Sequence, residues 1–442
     1  MDQIVLIGIT IFIISYISII ADKPEKTLGA LLGAGLMIFL HVISQHEAFE
    51  YVDLNVILLL AGMMVIVEIG AKTGVLEWAA IKLAIISKGE PIRVLIYMTL
   101  ITALFSSVLD NVTTVILIAP ITFIVAQQLE INPLPFLILE AIASSIGGTA
   151  TLIGDPPNIL IGSSAKLGFN DFLFNLSPVI VVILITFLIT IYFVFRKEWH
   201  VPMDIKARVM DMDPSKLIKD KKSLIITVTV FFFTLLGFIA HQSMHLEPAT
   251  VAILGATILM ITTKTDPMEI LKKIEWPALF FFGGLFILVG GFEKIGAIKY
   301  IAVKVISLTN GDLKTTSILL LWISAIISSI IGCIPYVVTI IPMVKQMIID
   351  ISAQMNIDSS VTASALWWSL SLGSCLGGCA TLIGAAANLV VAGIAQRNGM
   401  KISSWQFFKY GFPLTIEAML ISTVYVYLRY LGGMQDIFDL FH

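Results

Sequence analysis

The apolar residues of this chain fall into long, uninterrupted blocks, and few segments show the alternating or amphipathic patterns of water-soluble elements. A bilayer core about 30 Å thick needs about 20 apolar residues per helix. The stretch 76–87 carries Glu77 and Lys82 and is expected to lie along the membrane interface. For the rest of the first half we predict spans over 4–20, 27–44 and 54–70, a re-entrant hairpin with arms 92–108 and 112–128, a broken helix over 135–166 and a final span over 172–195.

The second half of the chain repeats the first. Asp53 recurs 222 positions later as Glu275, and Pro120 recurs at the same offset as Pro342. The segments 144–158 and 374–388 share Gly-Gly, Ala-Thr-Leu-Ile-Gly and a terminal Asn in register, which chance similarity of apolar segments would not align. We therefore predict two structural repeats, 1–195 and 223–442, joined by the charged linker 196–222, which is placed in the cytoplasm.

The two repeats are expected to have opposite orientations in the membrane. Three spans, one broken helix and one final span give each repeat five crossings, because a re-entrant hairpin returns to the face it entered from. An odd number of crossings inverts the second repeat. With the linker inside the cell, most of the 27 lysines and arginines also fall on inner loops, as topology statistics favour.

Composition agrees with a membrane protein. Hydrophobic residues make up 58% and charged residues 13% of the chain, against about 45–50% and 25% in soluble domains, and the mean hydropathy is +0.98. The segment 4–20 has no basic region and no cleavage site, so it is expected to remain as the first span. The prediction is an all-α, multi-pass protein of the plasma (cell inner) membrane. A net charge of −3 without a basic stripe argues against a nucleic-acid partner.

The chemistry is expected where the helices are interrupted. Irregular backbone survives at membrane depth only inside protein or against water, and paired interruptions in two inverted repeats are typical of transporter binding sites. The alternative is that glycine and proline only kink the helices or pack them closely. The four interruptions are the hairpin turns at 109–114 and 331–336 and the helix breaks at 147–158 and 377–388.

Asp110 and Asp155 are the candidate coupling residues. Ionisable groups at membrane depth are costly and usually functional, and clusters of carboxylate, amide and hydroxyl oxygens suit Na⁺, while the same carboxylates can carry protons. Helix capping is the alternative role. The second repeat has Gly332 and Ala385 at the equivalent positions, so any carboxylate-dependent site belongs to the first repeat.

Two further carboxylates lie within the apolar stretches, and four histidines lie beside them. Glu140 precedes the broken helix by about two turns and is a candidate proton carrier. Glu68 lies near the end of its span, where an interfacial role and a proton relay are both open. The histidines fall at predicted loop ends and are expected to be solvated; they are His41, His46, His241 and His245.

All three cysteines lie in the interruptions of the second repeat. Cys375 and Cys379 are four residues apart, and thus share a helical face if that arm stays helical. With Cys333 they either form a soft site for a thiol-seeking metalloid or replace serine and threonine at close-packed positions. Their number and spacing predict neither a disulfide framework nor a metal site.

The strings Leu-Asp-Asn-Val-Thr-Thr-Val at 109–115 and Ile-Gly-Gly-Thr-Ala-Thr-Leu-Ile-Gly-Asp-Pro-Pro-Asn at 146–158 resemble the ion transporter superfamily, in particular its arsenite permease and P-protein group with a citrate-transporter-like domain. The resemblance implies a secondary transporter, a homodimer and elevator-type motion. Relatives commonly carry an Asp-Asn-like pair in the second hairpin, where this chain has Gly332-Cys333, which argues against a second cation site. The resemblance places substrate-binding positions at Asn111, Thr113, Thr114, Gly148, Thr149, Asn158, Cys333, Pro335, Gly378, Thr381 and Asn388.

The expected function is therefore secondary active transport of a small inorganic oxyanion or hydroxylated metalloid, arsenite-like, coupled to H⁺ or Na⁺ through Asp110 and Asp155. A sodium/proton antiporter and an organic-anion, citrate-like carrier are the alternatives, the latter disfavoured because no Lys or Arg is found at the interruptions. The chain has no ATP-binding loop and no His-Glu-x-x-His motif, so it is not expected to be an enzyme. A separate ATPase partner stays open, and no cofactor other than Na⁺ is expected.

Overall fold

The computed structural model describes residues 3–23, 25–218 and 220–432, apart from the side chain of Lys216. This part of the chain is helical and contains no strand, and nine of its helices are long and apolar enough to cross a membrane. The helices of the first half are α1 Gln3–Ala21, α2 Lys26–Phe39, α3 Gln45–Glu50, α4 Leu54–Lys72, α5 Val75–Ile86, α6 Pro91–Ser106, α7 Asn111–Gln128, α8 Leu134–Thr149, α9 Pro156–Ala165 and α10 Phe169–Phe195.

The second half has the same order of helices. A short helix in the linker, α11 Met203–Met210, and a 3₁₀ turn, Pro214–Leu217, precede it, and a π-helical turn, Tyr427–Leu431, follows it. Its helices are α12 Lys221–Ala240, α13 Pro248–Thr263, α14 Pro267–Leu271, α15 Trp276–Lys294, α16 Ala297–Leu308, α17 Leu313–Ile331, α18 Cys333–Met355, α19 Ser359–Gly377, α20 Ala386–Arg397 and α21 Ser404–Val426.

The helix order confirms the predicted all-helical, multi-pass fold. The hairpin arms are α6 and α7 in the first half and α17 and α18 in the second, and the broken helices are α8 with α9 and α19 with α20. Packing between the halves is reciprocal: α4 contacts α13 as α2 contacts α15, and α7 contacts α20 as α9 contacts α18. Such pairing is what a pseudo-twofold axis produces. The opposite membrane orientation of the two repeats, and their division at 196–222, stay predictions; residues 433–442 of the second repeat lie outside the described part.

The linker is folded against the first hairpin. Lys206 Nζ lies 2.6 Å from Glu90 Oε1, and Arg208 donates to Glu130 Oε1 at 2.7 Å. Gly89 has φ +67°, and a Cβ there would come within 2.7 Å of the Lys206 carbonyl oxygen. The linker therefore packs closely on the end of α5 and is tied to the ends of both hairpin arms.

Close backbone contact also holds the first broken helix to the hairpin. A Cβ on Gly147 would lie 2.0 Å from the carbonyl oxygen of Ala103 in α6, so only glycine permits α8 to approach this closely. The Ser106 hydroxyl donates to the Ser144 carbonyl oxygen at 2.6 Å across the same contact. In consequence the hairpin tip and the helix break are held at the same level of the bundle.

Candidate functional site

The tip of the first hairpin meets the break of the first broken helix. Asp110 is the N-cap of α7, where its Oδ2 accepts a hydrogen bond from the Thr113 backbone N–H at 2.8 Å. The next residue, Asn111, donates from Nδ2 to Asp155 Oδ1 at 3.3 Å. Asp155 is the N-cap of α9, and Pro156 and Pro157 follow it at the first helical positions. The two segments that carry the candidate carboxylates are thus in direct contact.

The second hairpin has a tighter turn. Only Gly332 separates α17 from α18, and its φ of +90° is a conformation that favours glycine. The Cys333 backbone N–H then donates to the Gly384 carbonyl oxygen in the second break at 3.2 Å. The second hairpin and second break therefore join through the main chain, whereas the first pair joins through Asn111 and Asp155.

A cavity of about 120 Å³ lies between these interruptions. Asp110, Asn111 and Asp155 line it from the first repeat, and Cys333 lines it from the second. Asp155, Asn111 and Cys333 are all buried, so this part of the cavity lining lies in the interior of the protein. We take this cavity, hereafter the site cavity, as the candidate functional site.

Two residues at the rim of the site cavity were not expected from the sequence. Lys26, at the start of α2, and Glu275, the N-cap of α15, both line it. Lys26 Nζ lies 5.8 Å from the ring centroid of Phe281. The expectation that no Lys or Arg approaches the interruptions was therefore wrong, because folding brings the start of a different helix to them. Glu275 could have been found from one feature of the sequence, its equivalence to Asp53 in the first repeat.

Asn158 and Asn388 stabilise the two helix breaks from within. Asn158 Nδ2 donates to the carbonyl oxygens of Thr149 and Thr151 at 3.1 and 2.9 Å, and its Oδ1 accepts from the Ser371 hydroxyl at 2.6 Å. Asn388 Nδ2 likewise bonds the carbonyl oxygens of Gly378 and Thr381. Its Oδ1, however, has no partner among the described residues. Both side chains are fully buried, and each bonds to carbonyl oxygens in a break where the helical main-chain hydrogen bonds are missing.

The remaining threonines of the predicted set bond to the backbone of the interruptions. Thr114 Oγ1 donates to the Asp110 carbonyl oxygen and Thr149 Oγ1 to that of Ser145. Thr381 Oγ1 donates to the Ser329 carbonyl oxygen at 2.5 Å and accepts from the Gly384 N–H. These hydroxyls orient the site, and they are not among the groups that line the cavity.

The predicted glycines and proline also belong to the framework of the site. A Cβ on Gly148 would lie 2.6 Å from the Gly154 carbonyl oxygen, and one on Gly378 would lie 3.0 Å from that of Gly384. The Pro335 carbonyl oxygen accepts the phenol O–H of Tyr16 in α1 at 3.0 Å. Tyr16 was not singled out from the sequence, since a tyrosine in a first span gives no local sign of a distant partner.

The cysteines do not lie on one helical face. Because α19 ends at Gly377, Cys375 is helical and Cys379 lies in the break. Cys375 Sγ approaches Asn158 Oδ1 at 3.6 Å and Cys379 Sγ approaches the Ile142 carbonyl oxygen at 3.9 Å. Across the described residues, no group of three or more His, Cys, Asp or Glu side chains is arranged to hold a metal ion.

The other candidate ionisable groups lie apart from the site cavity. Glu140 is buried between α7 and α8, where its Oε1 accepts from the Thr122 hydroxyl at 2.5 Å. Glu68 pairs with Lys273 on the partly exposed end of α4, as an interfacial group does. His241 corrects the expectation for histidines, because it is buried and its Nδ1 lies 2.9 Å from the Leu246 carbonyl oxygen.

Comparison with known proteins finds a matching family model, relatives in other organisms and a solved structure of similar fold. A family model described as "Citrate transporter" matches residues 16–373. An uncharacterized transporter of Mycobacterium bovis is 41% identical over 428 residues, covering 96% of this chain and 98% of that protein. The P protein of Sus scrofa is 31% identical over 497 aligned positions, covering 93% of this chain and 58% of the P protein. The crystal structure of the Alcanivorax borkumensis YdaH transporter matches with a TM-score of 0.58 at 14% identity, covering 90% of each chain, which supports the fold.

Proposed function

This chain belongs to the citrate transporter family, and is therefore a multi-pass membrane transporter and not an enzyme; on that premise we propose that it moves a small inorganic oxyanion or hydroxylated metalloid by secondary active transport. Coupling to H⁺ or Na⁺ takes place at Asp110 and Asp155. The transporter works as a homodimer with elevator-type motion, as the resemblance implies.

The observation that carries this proposal is the joining of Asp110 and Asp155 through Asn111 at one cavity. Together with Glu275, the cavity has three carboxyl groups and one ammonium, that of Lys26. An anion cannot enter such a site favourably unless a cation or protons first reduce the negative charge. Carboxylate and amide oxygens suit Na⁺ as ligands, and the carboxylates can take up protons instead. For an anionic substrate, coupling thus follows from electrostatics, since binding of the anion is favourable only together with binding of the cation.

A second candidate is an organic-anion carrier. Lys26 at the rim of the site cavity supplies a charge that a carboxylate substrate needs, and the family description names citrate. The small size of the cavity favours the inorganic substrate. A sodium/proton antiporter is the third reading, in which the carboxylates themselves carry the transported cation.

The test is transport by the full chain in proteoliposomes, with arsenite, phosphate, citrate or Na⁺ offered under imposed Na⁺ or pH gradients. Asp110→Asn keeps the N-cap and removes the charge, so gradient-driven uptake should fall at least about tenfold. Asp312→Asn is the matched control, because Asp312 caps α17 in the same way at a partly exposed position that does not line the site cavity. Full coupled uptake by Asp110→Asn would overturn the coupling role.

The same assay separates the candidates. Lys26→Gln should abolish citrate uptake if the substrate is an organic anion, and should leave uptake of a neutral hydroxylated metalloid largely intact. A protein with Cys333, Cys375 and Cys379 all changed to serine should keep transport if the thiols are structural. If this variant loses transport of arsenite and of no other substrate, the result would favour contact between the thiols and a metalloid. Na⁺ movement with none of the anions would favour the antiporter.

A further inference from the structure

A second cavity, of about 200 Å³, lies beside the tip of the first hairpin and is separate from the site cavity. Its walls come from α4, α5, the end of α6 and α12. Leu109, which precedes Asp110 in the chain, lines it and is 8% exposed. Among the described residues that line it, Thr227 alone has a polar side chain. We name this space the apolar cavity.

The apolar cavity opens on the outer side of α12. Val228 lines it and is 51% exposed, and Phe231, which also lines it, is half-buried. Ile225 and Phe232, on the same helix, are exposed as well. Because α12 is long and apolar enough to cross a membrane, these side chains face lipid. The apolar cavity is therefore continuous with the interior of the bilayer.

The helices α1 and α12 occupy equivalent places in the two halves. A Cβ on Gly33 in α2 would meet the Ser15 hydroxyl of α1, and a Cβ on Gly255 in α13 would meet the Thr234 hydroxyl of α12. Gly33 and Gly255 are 222 positions apart, the offset that relates the first part of the two repeats. Ser15 and Thr234 thus correspond, and α1 matches α12 at an offset of 219 positions.

This equivalence shows that the apolar cavity is the place of a missing aromatic ring. Phe292 in α15 is buried, and its ring centroid lies 3.9 Å from that of Phe12 in α1. The equivalent of Phe12 is Phe231, but the equivalent of Phe292 is Gly70 in α4. A Cβ on Gly70 would meet only Thr227 Cγ2, at 3.8 Å, outside its own helix. The space that a side chain fills in one half is left open in the other.

The lining of the apolar cavity favours an apolar occupant over water. A buried water molecule needs about 2–4 polar partners, and this lining offers one hydroxyl group, that of Thr227. Thr227 is 5% exposed, and its hydroxyl has no hydrogen-bond partner among the described residues. The fitting ligand is therefore a hydrocarbon chain that carries one hydrogen-bond acceptor at its polar end.

A positive charge lies on the membrane-surface side of the apolar cavity. Lys221 begins α12 and is exposed. It lies two helical turns before Val228, on the same face of the helix, and about 9 Å nearer the membrane surface than Thr227. Lys72, at the end of α4, is already paired with Glu269 at 2.6 Å. Lys221 is thus placed to attract an anionic headgroup above the hydrocarbon space.

We propose that the apolar cavity binds one acyl chain of an anionic phospholipid. The chain fills the space beside Gly70, the Thr227 hydroxyl donates to the ester carbonyl oxygen at the head of the chain, and the Lys221 ammonium meets the phosphate. The order of these three groups along α12 and α4 matches the order of headgroup, ester and hydrocarbon in a phospholipid. This inference goes beyond the proposed function and does not depend on the transported ion.

The test is photolabelling of the full chain in phosphatidylcholine vesicles that contain phosphatidylglycerol with a diazirine on one acyl chain. Labelled peptides are assigned by mass spectrometry. We expect label on Leu109, which is buried and does not belong to the lipid-facing surface. Unlabelled phosphatidylglycerol should compete for this label. Label confined to exposed residues such as Ile225 and Phe232 would overturn the proposal.

Filling the apolar cavity should remove the label. Gly70→Leu takes the room of at least two methylene groups, and each excluded methylene weakens binding about fourfold, so label on Leu109 should fall about tenfold or more. Gly35→Leu is the matched control, because Gly35 is an exposed helical glycine of α2 with no described atom within 4 Å of its Cβ position. Equal label on Leu109 in the two variants would overturn the proposal.

The polar end of the ligand is tested without filling the cavity. Thr227→Val keeps the shape of the side chain and should lower labelling by the ester-linked lipid about fivefold. It should leave labelling by an ether-linked analogue unchanged, because the ether lacks the carbonyl acceptor. An equal loss with both lipids would overturn the role given to the Thr227 hydroxyl.

The headgroup is tested by charge. In the parent protein, label on Leu109 from diazirine phosphatidylglycerol should exceed that from diazirine phosphatidylcholine about fivefold, and Lys221→Gln should remove this preference. Lys264→Gln, at an exposed lysine that does not line the apolar cavity, should keep it. Equal labelling by the two lipids in the parent would overturn the anionic headgroup. Absence of label on Leu109, with disulfide-linked dimers of Val228→Cys on mild oxidation, would assign this face to a second copy of the chain and overturn the proposal.

Discussion

Removal of the Asn158 side chain should destabilise the protein more than removal of the Asn388 side chain. Asn158→Ala leaves two buried carbonyl oxygens in the first break and the Ser371 hydroxyl without their partner. Asn388→Ala leaves two carbonyl oxygens in the second break without theirs, but also removes an oxygen that lacks a partner in the described part. Each buried polar group without a partner costs about 1–3 kcal/mol. The two variants should therefore differ by about 2 kcal/mol or more.

The assay is thermal unfolding of the purified protein in one detergent, at one heating rate, because large membrane proteins unfold irreversibly and their midpoints depend on rate. A difference of about 2 kcal/mol corresponds to a few degrees in Tm. Ser371→Ala serves as the control. In a double-mutant cycle with Asn158→Ala the losses of Tm should be clearly less than additive, whereas with Asn388→Ala the two losses should add.

Equal losses of Tm for Asn158→Ala and Asn388→Ala would refute this reasoning. That result would mean that the contact between Asn158 and Ser371 contributes nothing, or that Asn388 Oδ1 binds a group other than the described residues. A coupling near zero between Asn158 and Ser371 would distinguish the first explanation from the second.

Three further predictions concern other parts of the chain. Gly147→Ala should prevent native packing and abolish a cooperative unfolding transition, because the new methyl group would overlap the backbone of α6. Gly393→Ala should raise Tm slightly, because alanine has a more favourable helix propensity than glycine by about 1 kcal/mol and the new methyl group meets no described atom within 4 Å. Glu140→Gln should keep the Tm, since among the described residues only the Thr122 hydroxyl bonds to the buried carboxyl group. It should abolish proton-driven uptake if Glu140 carries the proton, and unchanged uptake would exclude that role. The hydrogen bond from Lys294 lowers the pKa of Glu47 to about 2. The stability that this ion pair contributes is therefore complete above the unfolded pKa of about 4.3 and is lost as pH falls towards 2. Glu47→Gln should flatten the dependence of Tm on pH between these two values, and an unaltered slope would contradict the prediction.

Hydrophobic blocks and internal repetition were sufficient to predict the helices and their interruptions. The hairpin arms predicted at 92–108 and 112–128 became α6 and α7, and the break predicted at 147–158 contains the end of α8 and the start of α9. These features depend on the length of each apolar segment and on the glycine and proline within it, so a single sequence is enough to predict them. The docked linker helix α11 was not predicted, because it is too short and too polar for such a pattern.

The site was predicted only in part. Asp110 and Asp155 were identifiable because a carboxylate within an apolar segment is unusual wherever the segment lies. The side chain of Asn158 was expected to face substrate, but it bonds the chain across the break and the Ser371 hydroxyl of the other half. Lys26 and Tyr16 were missed, since the residues they meet are distant in the chain and neither has an unusual local sequence.

The sequence alone determined that this chain lies in a membrane, that it contains two related halves, and where each half interrupts its helices, because lipid imposes length and polarity limits that any single segment must satisfy. Only the tertiary structure decided which interruptions meet, that Lys26 joins the carboxylates at one cavity, and that Phe292 packs on Phe12 while the equivalent place beside Gly70 stays open. The physical reason is that equivalent segments of the two halves obey the same local rules, whereas the contacts between helices distant in the chain differ between them.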